Sequence, residues 1–227
     1  MVARLRGKFS DRRLALTGSL ALLSVFVLAL IAFRIAHTHS WLHIELGWNL
    51  LLAWIPFAIS LAVYDRAQRG ATIVPVVGGF LWLLFLPNAP YLVTDLKYVD
   101  GGSGIPALYD VLLFAAAAFA GLVLGLTSLL LMHAVARRVI GAARAWGCVA
   151  AALVLSSIGI YLGRFQRWNS WDVFVRPGSL VGDVARAVID PLSHPKPLAV
   201  IVLFTCFLSA CYLVFYAFAA TSSLLSE

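Results

Sequence analysis

Residues 14–33 read LALTGSLALLSVFVLALIAF, a run of 20 residues whose only polar side chains are two serines and one threonine. Because a helix rises about 1.5 Å per residue, about 20 apolar residues span the hydrocarbon core of a bilayer. A basic tail at residues 1–13 precedes the run, which continues into Arg34 without the small-residue cleavage site of a signal peptide. We therefore expect a retained transmembrane helix.

Five further apolar stretches follow, and with the first they predict an all-α polytopic membrane bundle of about six transmembrane helices. The predicted spans are residues 14–33, 46–64, 72–92, 108–133, 146–162 and 198–220. We expect a single membrane domain over residues 14–220, with an outer loop at residues 163–197 and a short cytoplasmic tail at residues 221–227. The composition agrees, because 62% of the residues are hydrophobic and 12% are charged, against about 25% charged in soluble domains.

The distribution of lysine and arginine predicts that both termini are cytoplasmic. The N-terminal tail and the second and fourth connections hold 10 basic residues, whereas the first and third connections hold 2. The loop at residues 163–197 holds five more, but long loops weigh less in this rule.

The formal charge of +7 is explained by these flanking residues, which meet anionic headgroups. No nucleic-acid-binding motif accompanies the charge. We therefore predict membrane lipids and no nucleic acid as partners. A homo-oligomer is a further expectation, because six helices would need to dimerise to form a transport path. The three cysteines lie inside predicted spans without metal-site spacing and are interpreted as packing residues.

Polar residues are concentrated at one end of the spans. With both termini in the cytoplasm, this is the outer end. Three stretches stand out: LPNAPYLVTDLKY at residues 86–98, Tyr109-Asp110, and GIYLGRFQRWNSWD at residues 159–172. They are distant in sequence, yet the bundle would bring them to one depth.

In the first stretch, Pro87 and Pro90 cannot continue a regular helix and push the residues before them towards extended conformations. The freed backbone groups must be satisfied by protein or by water in a cavity, and Asn88 has donors and acceptors for this. Broken helices form binding sites in transporters. A capped helix end at the interface is the alternative.

In the third stretch, a helix that continues outward would place Tyr161, Arg164, Trp168 and Asp172 on one face. Arg164 would then lie over Trp168 in a cation–π contact. An aromatic belt with snorkelling arginines is the alternative interpretation.

The arginines also have candidate acidic partners, because Arg164 or Arg167 can pair with Asp95, Asp110 or Asp172. For Asp110 the alternative is a cap at a helix N-terminus. The candidate ligand-binding residues are Asn88, Tyr91, Asp95, Asp110, Tyr161, Arg164, Arg167, Asn169 and Asp172.

The two longer motifs, LPNAPYLVTDL and GIYLGRFQRWNSWD, together resemble DUF1361, a family of bacterial multi-pass membrane proteins of unknown function. The resemblance runs from about the second helix to the sixth. It implies a bacterial inner-membrane protein with this hydropathy. It implies no reaction, ligand or catalytic residue.

A histidine cluster, HTHSWLHIE at residues 37–45, is interpreted as interfacial, because its spacing matches no helical metal pair such as H-E-x-x-H. We predict no metal site and no cofactor. Walker A, G-x-S-x-G and H-E-x-x-H signatures are absent from the sequence.

Three functions remain open. The first, which we favour, is binding or transport of a small anionic or lipid-headgroup ligand at the outer polar residues. The second is an interfacial enzyme for a lipid or lipid-linked substrate, in which Asp95, Asp110 and Asp172 supply acid/base groups and Arg164 and Arg167 hold phosphate. It requires two carboxylates near one arginine. The third is a structural or accessory membrane protein, whose polar residues would pair with one another and leave no cavity.

Overall fold

The computed structural model describes residues 2–71, 73–99, 104–166, 168 and 195–224, and residues 175, 178 and 182 singly. All regular structure in these residues is helical. The α-helices are α1 Val2–Thr38, α2 Glu45–Gln68, α3 Ile73–Phe85, α4 Asn88–Tyr91, α5 Ala107–Ile140, α6 Ala142–Phe165 and α7 Pro195–Leu224, and a 3-10 helix covers Leu92–Tyr98.

Six segments of the described chain are long and apolar enough to cross a membrane. They are Arg13–Thr38, Glu45–Gln68, Ile73–Tyr98, Ala107–Ile140, Ala142–Phe165 and Pro197–Thr221. The predicted fold class, an all-α bundle with six transmembrane helices, is confirmed. Several helices extend beyond the apolar stretch from which each span was predicted. For example, α5 continues through Arg137 and Arg138 to Ile140, because a basic helical turn is stable at headgroup level.

The centre of the bundle is α5. In its most apolar window 61% of the residues are buried, compared with 22% in the first span and 17% in the last. On one side Leu113, Phe114 and Leu124 pack in a core with α1 and α2. On the other side Leu126 and Leu129 pack in a second core with α6 and α7. The helix thus connects two apolar cores.

The third span is broken at Pro87. Helix α3 ends at Phe85, and a turn leads into the single turn of α4 and then into the 3-10 helix. Pro87 has no amide hydrogen to continue the helix. Pro90 lies in the first turn of α4, where the amides need no intrahelical partner. Ala89, which precedes Pro90, is therefore helical rather than extended, and the expectation of extended backbone before that proline is wrong. Leu86, which precedes Pro87, lies in a turn.

Small residues on α5 and α6 hold this break in place. A Cβ added at Gly121 would lie 2.4 Å from the carbonyl oxygen of Ala89, and one added at Gly159 would lie 2.6 Å from Cγ of Pro87. Only glycine permits such close approach of a neighbouring chain. The residues around the break therefore pack closely against α5 and α6.

Consecutive spans alternate in direction, which defines two ends of the bundle. We call the end that holds the last turns of α1 and α6 the outer end, following the predicted orientation. The end that holds the last turn of α5 is the inner end.

Candidate functional site

Arg164 lies in the last turn of α6, and its guanidinium is enclosed by the 3-10 helix of the third span. Nε donates to Oγ1 of Thr94 at 2.8 Å, and Nη2 donates to the same hydroxyl and to Oδ1 of Asp95. Nη1 donates to the hydroxyl of Tyr98 at 3.4 Å. The side chains of Arg164 and Asp95 are 8% and 3% exposed. Of the two candidate acids that the structure describes, Asp95 and Asp110, Arg164 contacts Asp95.

Two aromatic rings of the described chain lie beside Arg164. Its Cζ lies 4.5 Å from the ring centroid of Tyr91 and 5.3 Å from that of Tyr98. A cation over a ring face is attracted by the ring quadrupole. The predicted helical continuation through Trp168 is wrong, because α6 ends at Phe165. Arg164 and Trp168 therefore do not share a helix face.

Both carboxylate oxygens of Asp95 are engaged. Oδ1 accepts from Arg164, and Oδ2 accepts from Nδ2 of Asn49 at 3.1 Å. Asn49 lies one turn into α2 and was not among the predicted site residues. The signal available in the sequence was the amide side chain of Asn49 within an otherwise apolar stretch. The polar cluster of Asn49, Tyr91, Thr94, Asp95, Tyr98 and Arg164 is called the Arg164 cluster below.

Asp110 belongs to a separate ion pair. Nε of Arg34 donates to Oδ1 at 2.9 Å, and Nη2 donates to Oδ2 at 3.3 Å. The proposal that Asp110 is a partner of Arg164 is therefore wrong, since its two oxygens accept from Arg34 on α1. Sequence reasoning missed Arg34 as a site residue. Its position as the single cation after the first span was the available signal.

Two of the remaining candidates, Asn88 and Tyr161, make other contacts in the described structure. Nδ2 of Asn88 donates to the carbonyl oxygen of Phe85 at 3.0 Å, which satisfies a group freed by the break. The ring of Tyr161 stacks on Phe165, with centroids 5.2 Å apart. Three more predicted residues lie outside the described part of the chain: Arg167, Asn169 and Asp172.

The histidines of the first connection form no metal centre in the described residues, where no three His, Cys, Asp or Glu side chains are grouped closely enough to hold an ion. His43 lies with its ring edge against Phe114, with centroids 4.9 Å apart, and its Nδ1 is 3.6 Å from Oε1 of Glu45. Its position is that of a packed interfacial residue.

The two buried ion pairs differ in the groups that each guanidinium contacts. Arg34 and Asp110 form a two-bonded fork, with each side chain 1% exposed. Arg164 instead divides its donors between one carboxylate oxygen and two neutral hydroxyls. Tyr98 is 44% exposed, so the residue at this edge of the guanidinium is accessible, although the side chain of Arg164 is 8% exposed. A neutral hydroxyl binds a guanidinium more weakly than an anion does.

A family model described as "Protein of unknown function (DUF1361)" matches residues 48–211. This match covers more than half of the chain. The chain belongs to the DUF1361 family. No curated protein and no solved structure matches the chain.

The DUF1361 segment contains the Arg164 cluster entirely, since Asn49 is its second residue and Arg164 precedes its end. It also contains Asp110 but not Arg34. The ion pair between α1 and α5 thus joins the DUF1361 segment to a helix outside it. The family description assigns no ligand or reaction, so function has to be argued from the geometry.

Proposed function

We propose that this multi-pass DUF1361 membrane protein binds a small anion or an anionic lipid headgroup through Arg164, as part of a binding or transport function. The observation that carries the proposal is the bonding of Arg164. At a break in a membrane span, its guanidinium contacts one carboxylate oxygen and two neutral hydroxyls.

The cost of burying these charges supports a functional role. Removing a charged side chain from water costs several kcal/mol per ion, and apolar side chains of similar volume often stabilise a protein as well. Ionisable residues inside membrane segments therefore mark sites of function more often than simple packing. Arg164 and Asp95 both lie in membrane-spanning segments.

The geometry suggests how a ligand binds. An anion that approaches past Tyr98 would replace its hydroxyl at Nη1 of Arg164, and a phosphate or carboxylate fits the planar fork of the guanidinium. Asp95 competes for the same group and would retain its bond to Asn49. The described arrangement is thus a closed one, in which the internal carboxylate occupies the place of the ligand.

A structural role is the second candidate, and one observation favours it. The Asp95–Arg164 pair is closed and nearly inaccessible, as expected for a bundle whose polar residues only bind one another. The enzyme alternative has less support, because it requires two carboxylates beside one arginine. In the described residues Asp110 is engaged by Arg34, which leaves Asp95 alone beside Arg164.

Location and assembly are part of the proposal. We place the protein in the bacterial inner membrane with both termini in the cytoplasm, supported by the 10 basic residues on one side against 2 in the short connections on the other. A homo-oligomer would provide the transport path. A single cysteine in place of Ser103 in the third connection, in a background without the three native cysteines, tests the orientation. In intact cells it should react with a membrane-impermeant maleimide.

The binding experiment compares wild type with Arg164→Gln and Asp95→Asn. Thermal stability of the purified protein is measured in phosphate, glycerol 3-phosphate and chloride at equal ionic strength, since a ligand raises stability by RT ln(1 + [L]/Kd). We expect stabilisation of wild type by a phosphate-bearing anion, none in Arg164→Gln, and more in Asp95→Asn. A structural cluster gives no dependence on the anion and a stability loss in both variants.

A further inference from the structure

A second feature of the bundle lies at the inner end, away from the Arg164 cluster. A cavity of about 290 Å³ lies between α3, α5 and α6. This volume is close to the lower bound of about 300 Å³ for ligand pockets. Its walls are almost entirely apolar, and include Trp82, Leu129, Val149 and Ala152. Such walls select a hydrocarbon group rather than a hydrated solute.

The imidazole of His133, which is 2% exposed, is among the groups that line this cavity. Its Nδ1 lies 2.7 Å from the hydroxyl of Tyr212. Its Nε2 is buried and has no hydrogen-bond partner within the described chain. Because a phenol is a good donor to imidazole, we assign the ring hydrogen to Nε2. A buried donor without a partner is destabilising, so a ligand with an acceptor, such as a carbonyl oxygen, is favoured here.

The cavity opens sideways rather than to water. Cys148, Ala151 and Leu155 line it on α6 and are also exposed on the side of the bundle. In a membrane this surface faces lipid. A molecule already dissolved in the membrane can therefore enter between α3 and α6.

Cations lie beyond His133 towards the inner surface. Arg137 and Arg138 follow on α5 about one helical turn later, and Arg144 lies at the start of α6. Arg137 donates to the hydroxyl of Tyr216 at 2.9 Å, and Arg138 donates to the amide oxygen of Gln68. These partners are neutral, so they leave the positive charge of the turn in place.

We infer that this cavity binds one anionic phospholipid of the adjacent leaflet. An acyl chain occupies the apolar space, an ester carbonyl accepts from Nε2 of His133, and the phosphate lies beside Arg144 at the start of α6. The order of cations, donor and apolar space along α5 and α6 matches the order of phosphate, ester and chain in a phospholipid. The inference does not depend on the function proposed for Arg164.

The experiment uses the full chain reconstituted in nanodiscs of equal parts phosphatidylglycerol and phosphatidylcholine, released into mild detergent and examined by native mass spectrometry. Gly79→Leu fills the cavity, because a Cβ at Gly79 meets only Cε of Met132, at 3.6 Å, an ordinary contact. Gly18→Leu is the matched control, since nothing lies within 4 Å of its Cβ.

We expect wild type and Gly18→Leu to retain one phosphatidylglycerol. Gly79→Leu should retain it about tenfold less, since displacing two methylene groups already has that effect. His133→Asn keeps a polar atom near the Nδ1 position and should weaken retention about fivefold. Arg144→Gln should lose the preference for phosphatidylglycerol over phosphatidylcholine.

Equal retention by Gly79→Leu and Gly18→Leu would overturn the inference. Retention of a molecule without a phosphate, such as a quinone, would overturn the assignment to a phospholipid. If His133→Asn does not fold, the comparison of the two glycine variants still decides the matter.

Discussion

Arg34 on α1 and Asp110 at the start of α5 form a two-bonded ion pair, with donor–acceptor distances of 2.9 and 3.3 Å and both side chains 1% exposed. The pair ties the first span to the central helix at the outer end. Tyr109 reinforces it, since its hydroxyl donates to the carbonyl oxygen of Leu30 at 2.6 Å. Charge pairing of this kind fixes which helices are neighbours, because an unmatched charge cannot remain in the bundle.

The first prediction concerns this pair. Arg34→Gln should lower the free energy of unfolding by about 3–5 kcal/mol, because it leaves the carboxylate of Asp110 buried without its cation. Unfolding monitored in mild detergent measures the change. Arg13→Gln is the matched control, since Arg13 and Asp65 form a pair with side chains 26% and 48% exposed. Its effect should stay within about 1 kcal/mol.

A double variant separates pairing from packing. Arg34→Leu combined with Asp110→Leu should be more stable than either single variant, because no unpaired charge remains. The free energy of unfolding lost in the double variant could instead equal the sum of the losses in the two single variants. The two residues would then act independently, and the ion pair would not be what joins α1 to α5.

The second prediction concerns the close approach at the break. Gly121→Ala should destabilise the protein by about 1–3 kcal/mol, because the new Cβ would lie 2.4 Å from the carbonyl oxygen of Ala89 and backbone would have to shift. Gly147→Ala is the control on α6, where nothing lies within 4 Å. There alanine should be neutral or stabilising by up to about 1 kcal/mol. Thermal unfolding of the two variants checks this, and equal effects would contradict the packing described at Gly121.

The third prediction concerns the ring beneath Arg164. Tyr91→Leu should cost about 0.5–2 kcal/mol of stability, because it removes the ring face that lies 4.5 Å from the guanidinium. Tyr91→Phe keeps the ring and should have a smaller effect. A chemical-denaturation series on both variants measures the difference. Should phenylalanine prove as costly as leucine, the hydroxyl rather than the ring face would be the important group.

The fourth prediction concerns Asn49. Asn49→Leu removes the donor to Oδ2 of Asp95, which should cost about 1–3 kcal/mol in wild type. In the Asp95→Leu background the same change should cost little, because no carboxylate remains to be satisfied. The coupling energy from this double-mutant cycle is the measurement. A value near zero would show that the contact contributes nothing to stability.

Much of the architecture follows from residues read in order. The run at residues 14–33 predicts a span because bilayer thickness sets the length of apolar helix required. Pro87 predicts the break in the third span, because it lacks the amide hydrogen that a helix needs. The position of Asp95 and Arg164 at the ends of their spans places them at one depth, and the structure brings them into contact.

The pairings were decided by tertiary structure alone. Hydropathy gives the depth of a residue along the membrane normal, but it does not give the rotation of a helix about its axis or the identity of its neighbours. Asp110 therefore had several possible partners in the sequence, and the packing of α1 on α5 selects Arg34. The contact of Asn49 with Asp95 has the same origin. The sequence determined which residues lie at the outer end, and only the packing of the helices determined which of them touch.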